Sequence, residues 1–260
     1  MDLIGTRISI EKNLKRVIAE NRLTVFYQPI WSTEKNRTIA AEALLRIDDE
    51  ELGKYSPEVY IPIAEKNGLI REIGYAVFDK VCRFCAERNL EKLGLEYIEL
   101  NLSVYQLVSD DVVEGLEKIR KKYGVPPEKL NFELTETGVI GETPNVIKSI
   151  KRLKEIGYNF SLDDFGTGYS NAARLFRVNF RNVKIDKSVL WDSETNPAID
   201  GFLSFVFGIV KSIGCDVIQE GVETEEQLEK VTRLGCKLIQ GYYFSKPVNE
   251  AEFIKFIQRT

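Results

Sequence analysis

Six oxygen-bearing side chains stand at the ends of short apolar runs: Glu42 in EALLR, Asn101 in ELNLS, Glu133 in FELTE, Asp163 and Asp164 in SLDDFGTGYS, and Glu220 in VIQEGVET. The nearby cations are Arg46 of the first string and Lys184 of VKID. Taken singly, each reads as a solvated strand end or a helix cap. As a set converging on one face, carboxylates repel one another and bind protons more tightly unless a cation compensates. Oxygen-only donors favour a hard ion, Mg²⁺ or Mn²⁺, over zinc, and several carboxylates together suit two ions. Paired ions serve in-line displacement at phosphorus, so the expected substrate is a phosphate ester. Arg46 would then face a phosphate oxygen, and Lys184 would sit beside an attacking water or a developing negative charge.

Composition narrows the field from the other side. The 260 residues contain no His, which removes HExxH metalloproteases, Ser-His-Asp hydrolases and most zinc hydrolases. With 36 basic against 40 acidic residues and a net charge of −4, there is no basic stripe for duplex nucleic acid. Four Cys do not make a disulfide framework in a chain this long, and Met1 to Ile10 lacks the apolar core of a signal peptide. A cytoplasmic protein with no membrane span is expected, because the longest apolar stretch, Gly201 to Val210, is about half a bilayer crossing.

The elements that must position these residues alternate along the chain. Strands are predicted at Leu23–Ile30, Thr38–Arg46, Tyr97–Asn101, Leu130–Thr135, Asn159–Asp163, Asn182–Ile185, Asp216–Gln219 and Lys237–Gln240. Helical periodicity fills most of the gaps, over Ile70–Arg88, Val112–Tyr123, Val146–Ile156, Ile199–Ile213 and Glu225–Leu234. This pattern predicts an α/β fold, a TIM-type (β/α)8 barrel whose C-terminal strand ends form the reactive face. An open doubly wound sheet is the competing architecture. Only Ser32 to Arg37 separates the first two strands, too few residues for a crossover, so one strand is expected to run antiparallel. An amphipathic connector helix is predicted within residues 1–22, ahead of one barrel domain over 23–260.

The strings resemble those of the EAL phosphodiesterase domain, which hydrolyses the bacterial second messenger cyclic di-GMP. From about Leu23 to Pro247 the landmarks stand in order: YQPI, EALLR, YIPIAEKNGLI, NLS followed by QL, ELTET, DDFGTGYS, KID, EGVET and QGYYFSKP. The resemblance implies that Glu42, Asn101, Glu133 and Asp163 hold one metal, and that Asp163, Asp164 and Glu220 hold a second, with Asp163 bridging. It implies a catalytic role for Lys184, together with Glu42 and Glu220, and contacts of Gln28, Arg46 and Gln240 with the dinucleotide or its waters. Glu136 corresponds to a residue that fixes the loop after the fifth strand, and Glu223 to a supporting acid. The implied reaction is in-line attack of a metal-activated water on one phosphorus, giving linear 5′-pGpG. A homodimer is implied as well, with an upstream sensory or GGDEF domain if the chain is an excised fragment.

Gly166 and Gly168 give the loop after the fifth strand freedom to carry Asp164 into or out of the second metal site, a regulatory switch by analogy with the family. Three departures from the family pattern touch packing rather than ligands: Gln219 where Ala is common, Ile47 where an aromatic is frequent, and Asn171–Ala172–Ala173 in place of a Ser-Leu pair. Cys82 and Cys85 form a CxxC pair, but apolar neighbours make them packing residues. Two other functions compete: a cyclic di-GMP receptor that has lost turnover, and a Schiff-base enzyme using Lys184. The surrounding carboxylates stabilise the ammonium and argue against the second.

Overall fold

The computed structural model describes residues 3–135, 143–167 and 178–259. Strands β1 (Leu23–Ser32) and β2 (Arg37–Ile47) form an antiparallel hairpin in which Gln28 stands opposite Glu42. Six strands follow in parallel from β2: β3 (Tyr97–Asn101), β4 (Leu130–Thr135), β5 (Asn159–Phe165), β6 (Asn182–Ile185), β7 (Asp216–Gln219) and β8 (Leu238–Ile239). β8 pairs antiparallel with β1 through Trp31 and Ser32, which closes the barrel. A two-residue strand absent from the sequence expectation, β9 (Val248–Asn249), adds to β1 at Phe26 and Tyr27. The barrel and its reversed strand are as expected, and the open sheet is excluded.

Ten helices lie among the described residues: α1 (Leu3–Ala19), α2 (Pro57–Asn67), α3 (Ile70–Arg88), α4 (Val104–Leu107), α5 (Val112–Tyr123), α6 (Pro144–Ile156), α7 (Lys187–Asp192), α8 (Pro197–Ser212), α9 (Glu225–Arg233) and α10 (Glu250–Ile257). Local chemistry sets their ends. Ser103 with Gln106 and Thr224 with Gln227 form capping boxes for α4 and α9, and α5 stops at Gly124, whose φ of 65° is left-handed. Sequence periodicity missed α2 because Pro57 and Pro62 interrupt it, yet Pro57 sits at the first helical position where its missing N–H costs nothing.

Three apolar regions hold these parts together. The largest lies between the barrel wall and its helices, where Tyr27 stacks on Phe84 and Phe253 at ring-centroid distances of 4.4 and 5.4 Å. A second fixes α1 to α2 and α3 by burying Ile10, Leu14 and Val17 against Leu52, Tyr60 and Ile73. Arg16 and Arg22 lock that contact by donating to the same Asp49 oxygen at 2.8 and 2.9 Å. The third, Ile30, Ala40, Tyr97, Ile218 and Leu238, fills the barrel floor beneath the polar side chains that face its C-terminal mouth. All four cysteines are free and buried, and burial pushes the Cys82 and Cys85 thiols up, Cys85 to about 12, as inert packing groups should be.

Candidate active site

Strand alternation aims one row of side chains from each strand into the barrel, and the rows from β2 to β7 bring Glu42, Asn101, Glu133, Asp163, Lys184 and Glu220 to its C-terminal mouth. Lys184 is fully buried at their centre. Its Nζ lies 2.7 Å from Glu133, 3.0 Å from Glu220, 3.1 Å from Glu42 and 3.5 Å from Asp163. Alignment with Glu133 is poor, so both oxygens of that carboxylate lack a hydrogen bond, as does Asp163 Oδ1. Among the described residues, one ammonium against four carboxylates leaves the site short of positive charge.

Proton affinities record that shortage. Burial, and then the charge of Glu42, pushes the Glu133 carboxyl well above its ordinary range. Burial also raises Asp163 to about 6 and Glu220 to about 8, in each case against the opposing pull of Lys184. Glu42 goes the other way. Burial would raise it, but the Lys184 ammonium and the Gln240 amide outweigh burial and hold it below the usual carboxylate value. Burial would strip the proton from Lys184 itself, but Asp163, Glu133, Glu220 and Glu42 together keep it charged far into alkaline pH, which disfavours a Schiff-base role.

An amide chain supports Glu42 from the opposite wall. Gln240 Nε2 donates to Glu42 Oε2 at 2.6 Å and to Gln28 Oε1 at 3.1 Å, and Gln28 Nε2 reaches the Ser245 carbonyl at 3.3 Å. Asn101 Nδ2 donates to the other Glu42 oxygen at 3.1 Å. Arg46 stands at the rim, 5.6 Å over the Phe26 ring, with one Nη hydrogen bonded to the Leu45 carbonyl at 2.8 Å. From Glu42, Arg46, Asn101 and Glu133 a cavity of about 350 Å³ runs toward Ile61, Glu65 and Val77. Sequence reasoning missed one of its polar contacts, the 2.8 Å bond from Ser103 Oγ to Glu65.

The remaining expected residues divide. Asp164 lies next to the cage but is exposed, with left-handed backbone at φ 56°. Gly166 has φ 103°, and a Cβ there would come within 2.6 Å of Val189. The Glu223 side chain is exposed, and its backbone N–H donates to Gln227 Oε1 at 2.7 Å, so the structure ties it to the α9 cap and not to the cage. Glu136, Gly168 and Asn171 to Ala173 lie outside the described residues. Of the aromatics near the mouth, Phe244 is packed on Trp31 at 4.7 Å, whereas Tyr242 and Tyr243 are exposed.

The donor set fits a hard cation: carboxylate and amide oxygens, several without a hydrogen bond, and neither thiol nor imidazole. Among the described residues no three acidic side chains form a ready-made metal site, and the point where four carboxylates converge is taken by Lys184 Nζ. Bound ions would therefore need Lys184 to yield carboxylate contacts.

The EAL domain family model matches residues 11–247, and its span includes every residue of the cage. The chain belongs to the EAL domain family. It is 32% identical over 251 residues to the oxygen sensor protein DosP of Escherichia coli, a match covering 96% of this chain and 31% of DosP. It is 29% identical over 243 residues to the cyclic di-GMP phosphodiesterase RocR of Pseudomonas aeruginosa, covering 93% of this chain and 61% of RocR. The chain thus spans about a third of the length of the former. Among solved structures, a PaMucR phosphodiesterase in complex with c-di-GMP matches with TM-score 0.87 and 28% identity over 94% of this chain and 99% of that one. As to membranes, no described helix is long and apolar enough to cross one.

Proposed function

We propose that this EAL domain hydrolyses cyclic di-GMP to linear 5′-pGpG in the cytoplasm, with Mg²⁺ or Mn²⁺ as the cofactor and two ions in the site. The observation that carries the reading is the cage itself: four carboxylates about a single buried lysine, one of them bonded by the Asn101 amide, with oxygens among them that lack a hydrogen bond. Carboxylates held away from water in such number are tolerable only when compensated. Glu42, Asn101, Glu133, Asp163, Asp164 and Glu220 would hold the ions, which when bound supply the positive charge that polarises water and phosphoryl oxygen.

The chain's own residues account for the rest of the step. Arg46, braced by Phe26 and the Leu45 carbonyl, keeps its remaining N–H groups for a phosphate oxygen at the cavity rim. Gln28 and Gln240 fix Glu42 in one orientation. Lys184, once relieved of some carboxylate contacts, offers its N–H donors to the attacking oxygen and to the charge that builds on phosphorus. The oxygen of water bonds to phosphorus as the bond to the 3′ oxygen breaks. Water's proton is released, the 3′ oxygen takes one up, and the net change is addition of one water.

Glu42→Ala should abolish formation of 5′-pGpG, read by nucleotide chromatography, while the wild-type chain with Mn²⁺ converts the cyclic substrate. Turnover retained by the variant would remove Glu42 from the ion set. A second reading, a receptor that binds cyclic di-GMP without cleaving it, draws on Lys184 filling the cage; binding with Mn²⁺ present and no product would favour it. Self-association belongs to the first reading, because α8 exposes Phe202 and Phe205 and α7 exposes Trp191. Sedimentation should then give a dimer.

A further inference from the structure

Beneath the cage lies a second polar layer that the reaction does not touch. Glu99, Asn131 and Ser161 are wholly shielded from solvent, and Asn182 is 1% exposed. One oxygen of Glu99 accepts three hydrogen bonds, from Ser161 Oγ at 2.7 Å, Asn131 Nδ2 at 2.8 Å and Asn182 Nδ2 at 3.0 Å. Asn131 also donates to Ser161 at 2.6 Å, and Asn182 to the Tyr97 hydroxyl at 3.1 Å. The other Glu99 oxygen has no hydrogen-bond partner, and Glu99 forms no ion pair among the described residues. Burying an unpaired carboxylate costs several kcal/mol, so its presence calls for a reason other than packing.

Placement supplies the reason. Glu99, Asn131, Ser161 and Asn182 stand two residues before Asn101, Glu133, Asp163 and Lys184, on the same inward face of the same four strands. The four side chains join positions 21 to 83 residues apart in the chain, and Asn182 Nδ2 reaches Ser161 Oγ directly at 3.2 Å. The join matters most between β5 and β6, where the ladder is regular at Ser161 with Asn182 and at Leu162 with Val183 but then shifts before Phe165. That irregularity falls at Asp163 and Asp164. Main-chain pairing therefore stops fixing the height of Asp163 relative to Lys184 where the site needs it fixed, and the side-chain layer directly below provides the tie.

We infer that Glu99 is a positioning residue: through three hydrogen bonds at one oxygen it sets the relative heights of β3 to β6, and with them the proposed ligands Asn101, Glu133 and Asp163 and the Lys184 ammonium above. Groups hydrogen bonded to metal ligands typically govern affinity by about 10- to 100-fold, and Glu99, which reaches the proposed ligands through the strands that carry them, is expected at the lower end of that range. The inference rests on the metal-dependent phosphodiesterase reading, but concerns the construction of the cage and not the identity of the substrate.

The test compares the full chain with Glu99→Leu, which removes the acceptor, and Glu99→Gln, which keeps an acceptor oxygen and offers a new donor to the unpartnered amide oxygens of Asn131 and Asn182. Mn²⁺ binding to the metal-stripped proteins is measured by calorimetry, alongside kcat and KM for cyclic di-GMP and thermal unfolding. Glu99→Leu should bind Mn²⁺ about tenfold or more weakly and lose kcat with KM little changed, and Glu99→Gln should recover most of both. A folded Glu99→Leu variant with wild-type Mn²⁺ affinity and only a lower Tm would overturn the inference. If Glu99→Leu does not fold, Ser161→Ala carries the test: a severalfold loss of Mn²⁺ affinity supports the layer, and none overturns it. A wild-type chain that binds Mn²⁺ but leaves cyclic di-GMP intact, with the same gap to Glu99→Leu, would keep this inference and remove the phosphodiesterase reading.

Discussion

At the end of β7 every main-chain carbonyl from Glu220 to Val222 is held by a donor, whereas at the end of β5 the chain turns through left-handed backbone at Asp164 with few such ties. Gln219 Nε2 donates to the Glu220 carbonyl at 3.0 Å, Trp191 Nε1 to that of Gly221 at 2.9 Å and the Tyr243 N–H to that of Val222 at 3.0 Å. Across the mouth, the Asp164 carbonyl is met, among the described residues, from within its own turn, by Thr167 Oγ1 at 3.0 Å and the Thr167 N–H at 3.4 Å. Asp164 carries φ 56°, a conformation that L-residues adopt at a cost and that clusters at functional sites. The two carboxylates at the mouth are thus mounted differently: Glu220 opens a segment tied to other parts of the barrel, and Asp164 sits in a turn held from within among the described residues.

The contrast breaks most severely at the group both ends share. Lys184→Met should leave the carboxylates without their ammonium and destabilise the metal-free protein by about 3–5 kcal/mol, measurable by urea unfolding in EDTA. Mn²⁺ should restore much of that loss, because it supplies the missing charge. Proton linkage comes next. Asp163 and Glu220 are raised above ordinary carboxylate values, so the folded metal-free chain keeps protons that the unfolded chain has released. Its stability is greatest in mild acid and falls as pH rises above about 4, where the unfolded acids titrate, the Asp163 part being complete by about 6 and the Glu220 part by about 8, at up to about 1.4 kcal/mol per pH unit for each proton. Thermal unfolding in EDTA should show Tm falling over that window, and Mn²⁺ should flatten the fall.

Two smaller substitutions sharpen the contrast between the ends. Gly166→Ala puts a Cβ into left-handed backbone and against Val189, and should cost about 1–3 kcal/mol while disturbing the Asp164 side more than the Glu220 side. Trp191→Phe removes the indole N–H from the Gly221 carbonyl, together with part of the ring under Lys187, and should cost about 1 kcal/mol with a modest fall in turnover. Equal effects of these two on Mn²⁺ affinity would show that the ends are not mounted differently after all.

Much of this was legible in the sequence because barrels enforce period two. All eight barrel strands are predicted to within about two residues at each end, and the short hairpin connection gives away the reversed strand. The cage is legible because acids at the ends of apolar strands add nothing to packing and must meet either solvent or a cation. The layer beneath it was equally visible in YIELN, LNFEL, FSLDD and NVKI, where a polar residue sits two places before each site residue in an otherwise apolar run. What hid it is that a buried polar residue can be satisfied in many ways, and only the closed barrel brings four such residues within hydrogen-bond reach. Lys184 at the centre of the carboxylates was hidden for a similar reason, since strand order and not spacing decides which acids surround it. Helices α2, α7 and α10 escaped periodicity through internal proline or short length, where caps and tertiary contacts outweigh the pattern.

The most direct measurement follows the wild-type chain with cyclic di-GMP in Mn²⁺ and, separately, after EDTA, with all nucleotides quantified over time. Conversion to 5′-pGpG in the first and none in the second is the predicted result. Undiminished conversion after the ions are stripped, or tight binding with the cyclic dinucleotide left whole in Mn²⁺, would contradict it.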